Sequence, residues 1–148
     1  MICKFKKVIL NFLLLLYIKI MFLSKGYRLK KILIVDDSSL IRSVASDATK
    51  EAGHEAVTAT NGQEGLDIVN QGGIDLIFSD VNMPVMGGLE MVENIKKNEQ
   101  FKFLPIVMLT TESSDELKEK GKNLGAKAWL VKPFNKVKFI KVVQKLLG

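Results

Sequence analysis

Cysteine and histidine are almost missing from this chain. The one cysteine, Cys3, allows no internal disulfide and no cysteine-based metal centre. The one histidine, His54, excludes a zinc site built on several imidazoles; it follows Gly53 at an expected helix end and reads as an exposed loop imidazole. Acidic residues are missing from the first 31 positions, which hold eight Lys or Arg; the rest of the chain carries 14 basic against 16 acidic residues, a net of −2. The overall charge of +6 therefore belongs to the N-terminal segment, and its distribution argues against a nucleic-acid footprint spread over the domain. There is no internal repeat, and no low-complexity linker after residue 31. A length of 148 residues suits one ordinary domain with a single core.

What is present first is an apolar stretch at residues 8–23, broken by Asn11 and Lys19. Its uncharged run, residues 8–18, is shorter than the roughly 20 residues of a spanning helix. Lys4, Lys6 and Lys7 precede it, and Ser24 and Gly26 follow at small-residue spacing, an order that resembles a secretory signal. Three readings stay open for residues 1–28: a signal peptide, a membrane anchor, or an extension the fold does not need, with Met21 as an alternative start. The domain proper is expected at residues 29–148, cytoplasmic unless residues 8–23 are retained as an anchor.

From there strand and helix signals alternate five times. Ile32-Leu33-Ile34-Val35 is a continuous aliphatic run, β-branched at three of four positions, that stops at Asp36-Asp37-Ser38. Ser38 or Ser39 can cap a helix with apolar positions Leu40, Ile41, Val44, Ala45 and Ala48, which Gly53 ends. Residues 55–60 alternate as a second strand, Asn61-Gly62 marks a turn, and Leu66, Ile68 and Val69 mark the buried side of a helix stopped by Gly72-Gly73. A third strand at residues 75–78 ends at Asp80, with Asn82, Pro84 and Gly87-Gly88 in the loop beyond it, and a helix follows over residues 89–97. A fourth strand over residues 105–109 stops at Thr110-Thr111; Ser113 or Ser114 opens the next helix and Gly125 ends it. The fifth strand, residues 128–131, stops at Lys132-Pro133. The last helix is expected to bury Val137, Ile140, Val143, Leu146 and Leu147 and to turn Lys136, Lys138, Lys141 and Lys145 to solvent.

Strands that read as unbroken apolar runs are buried on both faces, so the pattern predicts an α/β fold with a five-stranded parallel sheet between helix layers. Right-handed crossovers bring the strand carboxyl ends to one edge. There Asp36, Asp37, Asp80, Thr110 and Lys132 converge, where open α/β sheets bind ligands. One polar strand end is explained by a cap or a turn; three carboxylates, a hydroxyl and a lysine together are not. Clustered carboxylates repel unless a cation intervenes. Hard oxygen ligands select Mg²⁺, a carboxylate can attack phosphorus, and Lys132 can meet a phosphoryl oxygen. The residues alone point to an Mg²⁺-dependent aspartyl phosphorylation site.

The set Ile32 to Ser38, Asp75 to Pro84 with Met83-Pro84 and Gly88, Leu109-Thr110-Thr111, and Ala128 to Phe134 with Lys132-Pro133-Phe134 resembles the receiver domain of two-component response regulators, the chemotaxis type in particular. The resemblance covers about residues 29–148 and implies a flavodoxin-like three-layer sandwich with strand order 2-1-3-4-5. It implies Asp80 as phosphoacceptor, Asp36 and Asp37 as the acidic pair for Mg²⁺, and Asn82 as the residue whose carbonyl completes the metal site. It implies Lys132 and Thr110 as the phosphate-contacting pair, a cis bond at Lys132-Pro133, and Asn82 and Glu112 as positions that tune hydrolysis. Trp129 stands where the family's switch aromatic is more often Tyr or Phe. A sensor histidine kinase is the implied phosphodonor, and the domain would catalyse only its own phosphorylation and slow dephosphorylation.

Other classes fit less well. A haloacid-dehalogenase-type phosphatase needs Asp-x-Asp after the first strand, whereas Asp36 and Asp37 are adjacent. An FMN carrier needs a Ser/Thr/Gly-rich phosphate loop there. A phosphorylation-independent binding module usually lacks an acid, the Thr or the Lys, and this chain keeps all of them. With neither a helix-turn-helix nor a second enzyme after the last helix, the signal is expected to leave by docking. The expected surface is the helix after strand four, strand five and the last helix, with Lys118, Lys122, Lys127, Lys138 and Trp129. A flagellar switch, a phosphorelay histidine domain and another kinase are equally compatible partners.

Overall fold

A computed structural model of the chain describes residues 2–24, 28–112 and 114–148; in the first stretch, side chains are described for residues 9–20. The expected strands form as β1 (Lys31–Val35), β2 (Glu55–Ala59), β3 (Leu76–Asp80), β4 (Ile106–Thr110) and β5 (Ala128–Val131). All pairings are parallel, in the order β2-β1-β3-β4-β5. Successive side chains point to opposite faces. Ile32, Ile34, Leu76, Phe78, Val107 and Leu109 enter one core layer; Leu33, Val35, Ile77, Ile106 and Met108 enter the other. Both sets are fully buried, which is why these segments carry no polar face.

The helices are α1 (Ile2–Ser24), α2 (Ser39–Glu51), α3 (Gly62–Asn70), α4 (Gly88–Lys97), α5 (Asp115–Leu124) and α6 (Lys136–Leu147). The α2 and α6 helices cover the first layer with Ala45, Ala48, Phe139 and Val143. The α3, α4 and α5 helices cover the second with Val69, Met91, Val92, Ile95, Leu117 and Leu124. Expected caps form: the Ile41 amide donates to Ser38 Oγ and the Leu117 amide to Ser114 Oγ. Ser113, the other candidate, lies outside the described residues. The stops at Gly53 and Gly125 are left-handed, at φ +83° and +105°.

Several local expectations are corrected. Asn61 does not make a turn with Gly62; it caps α3, its Oδ1 accepting from the Glu64 amide at 2.9 Å. The third strand does end on Asp80 as expected, but it begins at Leu76, so Asp75 precedes it. Leu40 and Val137 are exposed, not buried. On α6 the core residue is Phe139, stacked on Phe78 with ring centroids 4.1 Å apart. Val143 lies one turn further on the same face, and Val137, two residues before Phe139, points away from it. His54 is half-buried rather than exposed; its Nδ1 is buried and has no partner among the described residues.

Residues 9–20 lie on α1 and are all exposed. Among the described residues, no helix is long and apolar enough to cross a membrane, and every buried apolar residue lies at position 32 or beyond.

Candidate functional site

The sheet reverses its order between β1 and β3, which opens a crevice outside their carboxyl ends. Asp36 follows β1 there, Asp80 ends β3, Thr110 ends β4 and Lys132 follows β5. The turn after β1 is held by the chain itself. Asp36 donates its amide to Ala59 O at 3.2 Å, and Asp36 Oδ1 accepts from the Ser38 amide at 2.9 Å. Arg42, one turn into α2, donates Nη1 to the carbonyls of Asp36 and Asp37 at 2.7 and 3.1 Å.

Lys132 joins the strand ends. Its Nζ lies 2.6 Å from Asp36 Oδ2 and 3.2 Å from Asp80 Oδ1. Asp36 is wholly buried, and the Lys132 and Asp80 side chains are each 12% exposed. Asp37 is exposed, yet carboxylate oxygens of Asp36, Asp37 and Asp80 all lie within 4.8 Å of one another. Asp80 Oδ1 also accepts from the Val81 amide at 2.9 Å. Among the described residues Oδ2 of Asp80 receives no hydrogen bond.

The electrostatics follow from burial and charge. Burial pushes the Asp80 carboxyl above its ordinary pKa; Lys132 resists this and Asp36 adds to it. Burial works to lower the Lys132 ammonium, but its hydrogen bond to Asp36 and the charges of Asp80 and Asp36 outweigh that and raise it. Lys132 thus stays charged among carboxylates whose number exceeds its own single charge. A cluster of hard oxygens of this kind fits Mg²⁺, and Asp36, Asp37 and Asp80 are the residues that could hold it.

The loop after Asp80 packs against its back. An added Cβ on Gly88 would overlap the Asp80 carbonyl and stand 2.9 Å from Ser79 Oγ, so only glycine permits this approach. Asn82 is exposed in that loop. Val85, also exposed, takes φ +72°, an uncommon conformation for a β-branched residue. The Lys132-Pro133 peptide is cis.

Thr110 is buried one residue beyond Leu109, the β4 neighbour of Asp80. Its Oγ1 accepts from the amide of the exposed Glu112 at 3.0 Å, and its carbonyl accepts from the Lys132 amide at 2.8 Å. Trp129 is half-buried beside Met108. It lines an open cleft of about 580 Å³ with Lys118, Glu119, Lys122, Gly125, Ala126 and Lys127. Of the expected docking residues, Lys138 stands apart on α6, outside that lining. Sequence reasoning missed Arg42 and Gly121. Arg42 carried a usable signal, four residues after the capping Ser38; Gly121 carried only that of a glycine inside a helix, and its reason shows in the packing of β5 against α5.

Comparison with known proteins agrees with this geometry. The profile of the response regulator receiver domain matches residues 32–144. The chemotaxis protein CheY-3 of Vibrio cholerae is 33% identical over 121 residues, 78% of this chain and 93% of that protein. The polar-differentiation response regulator DivK of Brucella anthropi is 28% identical over 119 residues, 80% of this chain and 97% of that one. The solved structure of the chemotaxis response regulator CheY4 of Vibrio cholerae is 47% identical, covers 80% of this chain and 99% of its own, and superposes with a TM-score of 0.77.

Proposed function

The chain belongs to the family of response regulator receiver domains, chemotaxis type, and on that premise we propose that it is a switch set by phosphorylation of Asp80. The observation that carries the reading is the Lys132 ammonium bonded to both Asp36 and Asp80, with Asp37 in reach of both carboxylates. Asp80 Oδ2 attacks the phosphorus of a phosphohistidine on a sensor kinase. The new O–P bond forms as the N–P bond breaks, and the imidazole leaves with its electron pair and takes up a proton. Lys132 holds Oδ1 in place and meets a phosphoryl oxygen; Thr110 turns its hydroxyl to another. Asp36, Asp37, Asp80 and the carbonyl of Asn82 would hold Mg²⁺, which when bound would neutralise charge on the phosphoryl oxygens. The same groups, with Asn82 and Glu112 at the mouth of the site, govern slow hydrolysis of the acyl phosphate.

Phosphorylation is read out by a protein partner. Lys118, Lys122 and Lys127 give the α5–β5 cleft a basic lining against the one acid Glu119, which suits an acidic segment. Thr110 and Trp129 connect the two places: when the Thr110 hydroxyl leaves the Glu112 amide for the phosphoryl group, the Trp129 ring follows it inward. The test is phosphoryl transfer from a phosphohistidine donor in Mg²⁺. Labelling of the wild-type chain, and phosphate-dependent capture of an acidic partner peptide through the cleft, are both expected to vanish in Asp80→Asn. Full labelling of Asp80→Asn would sink the assignment.

A further inference from the structure

We infer that Gly121 is a positioning residue, a seat cut into α5 for the Trp129 indole that sets how readily the ring leaves the cleft. Gly121 lies inside α5, two turns from its start, and is buried. Glycine is the poorest helix former after proline, so nothing in α5 itself favours it there. Its surroundings do. A Cβ built on Gly121 would overlap Cζ2 of Trp129 and stand 3.2 Å from Cε2 and Cη2. These atoms belong to a rigid ring, not to the end of a flexible chain that could step aside. The indole therefore lies against the helix backbone, where no other residue type leaves room for it.

The seat bears on the site through the sheet. Trp129 is paired with Met108, and Val131 with Thr110. Paired and alternate residues share a face, so Trp129 and Thr110 are diagonal neighbours on the α5 side of the sheet. On this inference the pose seated on Gly121 is the resting one, and the other pose lies towards Thr110. This inference rests on the reading that the ring moves when Asp80 is phosphorylated. It adds that the resting population is set by contact with α5, and that the larger ring is matched by a missing side chain. By linkage, any change that empties the resting pose raises the apparent affinity for whatever favours the other one.

The experiment compares wild type, Gly121→Ala, Trp129→Leu and the double variant. Trp129 is the only tryptophan, so its emission and iodide quenching report the ring directly. In Gly121→Ala the resting emission and quenching are expected to shift towards those of wild type saturated with Mg²⁺ and beryllofluoride. The beryllofluoride midpoint is expected to fall by about threefold or more. Wild-type spectra and midpoint in Gly121→Ala overturn the inference, as does a ring that becomes more quenchable with an unchanged midpoint. Thermal unfolding gives a second arm. Gly121→Ala should lower the midpoint when Trp129 is present and raise it in the Trp129→Leu background, where helix propensity alone acts. If Gly121→Ala fails to fold, recovery in the double variant supports the seat, and failure of both overturns it. A wild-type chain that ignores Mg²⁺ and beryllofluoride would defeat the proposed function instead, while the reversal of sign in unfolding would still report the seat.

Discussion

At the scale of single residues, the site is a problem in charge held out of water. Asp36 is wholly buried and survives there because Lys132 and the Ser38 amide both donate to it. Removing one partner of a buried ion pair costs about 3–5 kcal/mol. The Lys132 side chain keeps some contact with water, so Lys132→Ala should destabilise the fold by about 3 kcal/mol, the low end of that range. Mg²⁺ binds the folded state and should restore part of the loss by mass action. Urea unfolding with and without Mg²⁺ measures both effects, and a variant indifferent to Mg²⁺ would remove the acidic trio as a cation site. Asp36, Asp80 and Lys132 were legible in the sequence because each breaks an aliphatic run at its carboxyl end. Gly121 was not, because its reason lies eight residues away on another element.

At the scale of elements, ends were easier to read than faces. Caps and stops are written in local chemistry, which is why Ser38, Ser114, Gly53 and Gly125 could be placed. Faces depend on how a helix is rotated against the sheet. Val137 and Phe139 are both apolar, and only the stacking of Phe139 on Phe78 decides which points inward. The start of α3 shows a cap mistaken for a turn. Asn61 receives the Glu64 amide, and Glu64 Oε2 accepts from the amide and the hydroxyl of Thr60, both at 2.7 Å. Those bonds, backbone first and hydroxyl second, hold the Glu64 pKa below its ordinary value of 4.5. A carboxyl with a depressed folded pKa gives stability above its unfolded value and loses it as pH falls through the folded one. Because Glu64 is exposed and its bonds are screened by water, Glu64→Ala should cost only about 0.3–0.5 kcal/mol at neutral pH. The difference from wild type should shrink as pH falls below 4.5, and a difference independent of pH would argue against this role.

At the scale of the whole molecule, the fold was legible because the central strands β1, β3 and β4 are buried on both faces and therefore have no polar side. The first 28 residues were legible only as an open question. The described side chains of α1 are exposed, while Lys30 already belongs to the domain: its carbonyl accepts from the Glu55 amide and its Nζ lies 3.7 Å from Asp75. A chain beginning at Leu29 should unfold at the same temperature as the full chain and accept phosphate equally well. A large loss of stability would show that α1 is part of the fold, and mass spectrometry of the native N-terminus would show which chain exists.

Lys132 also has a mechanical meaning. The edge strand β5 is paired only with β4, yet the residue after it grips the acid that follows β1, beyond the two strands in between. The lysine is a guy-line from the rim of the sheet to its far interior, pegged at Asp36 and Asp80. On the proposed function, a phosphoryl group on Asp80 would move one of the two pegs. The pull on β5 would then change at the rim, beside the cleft between α5 and β5, without any strand having to slide.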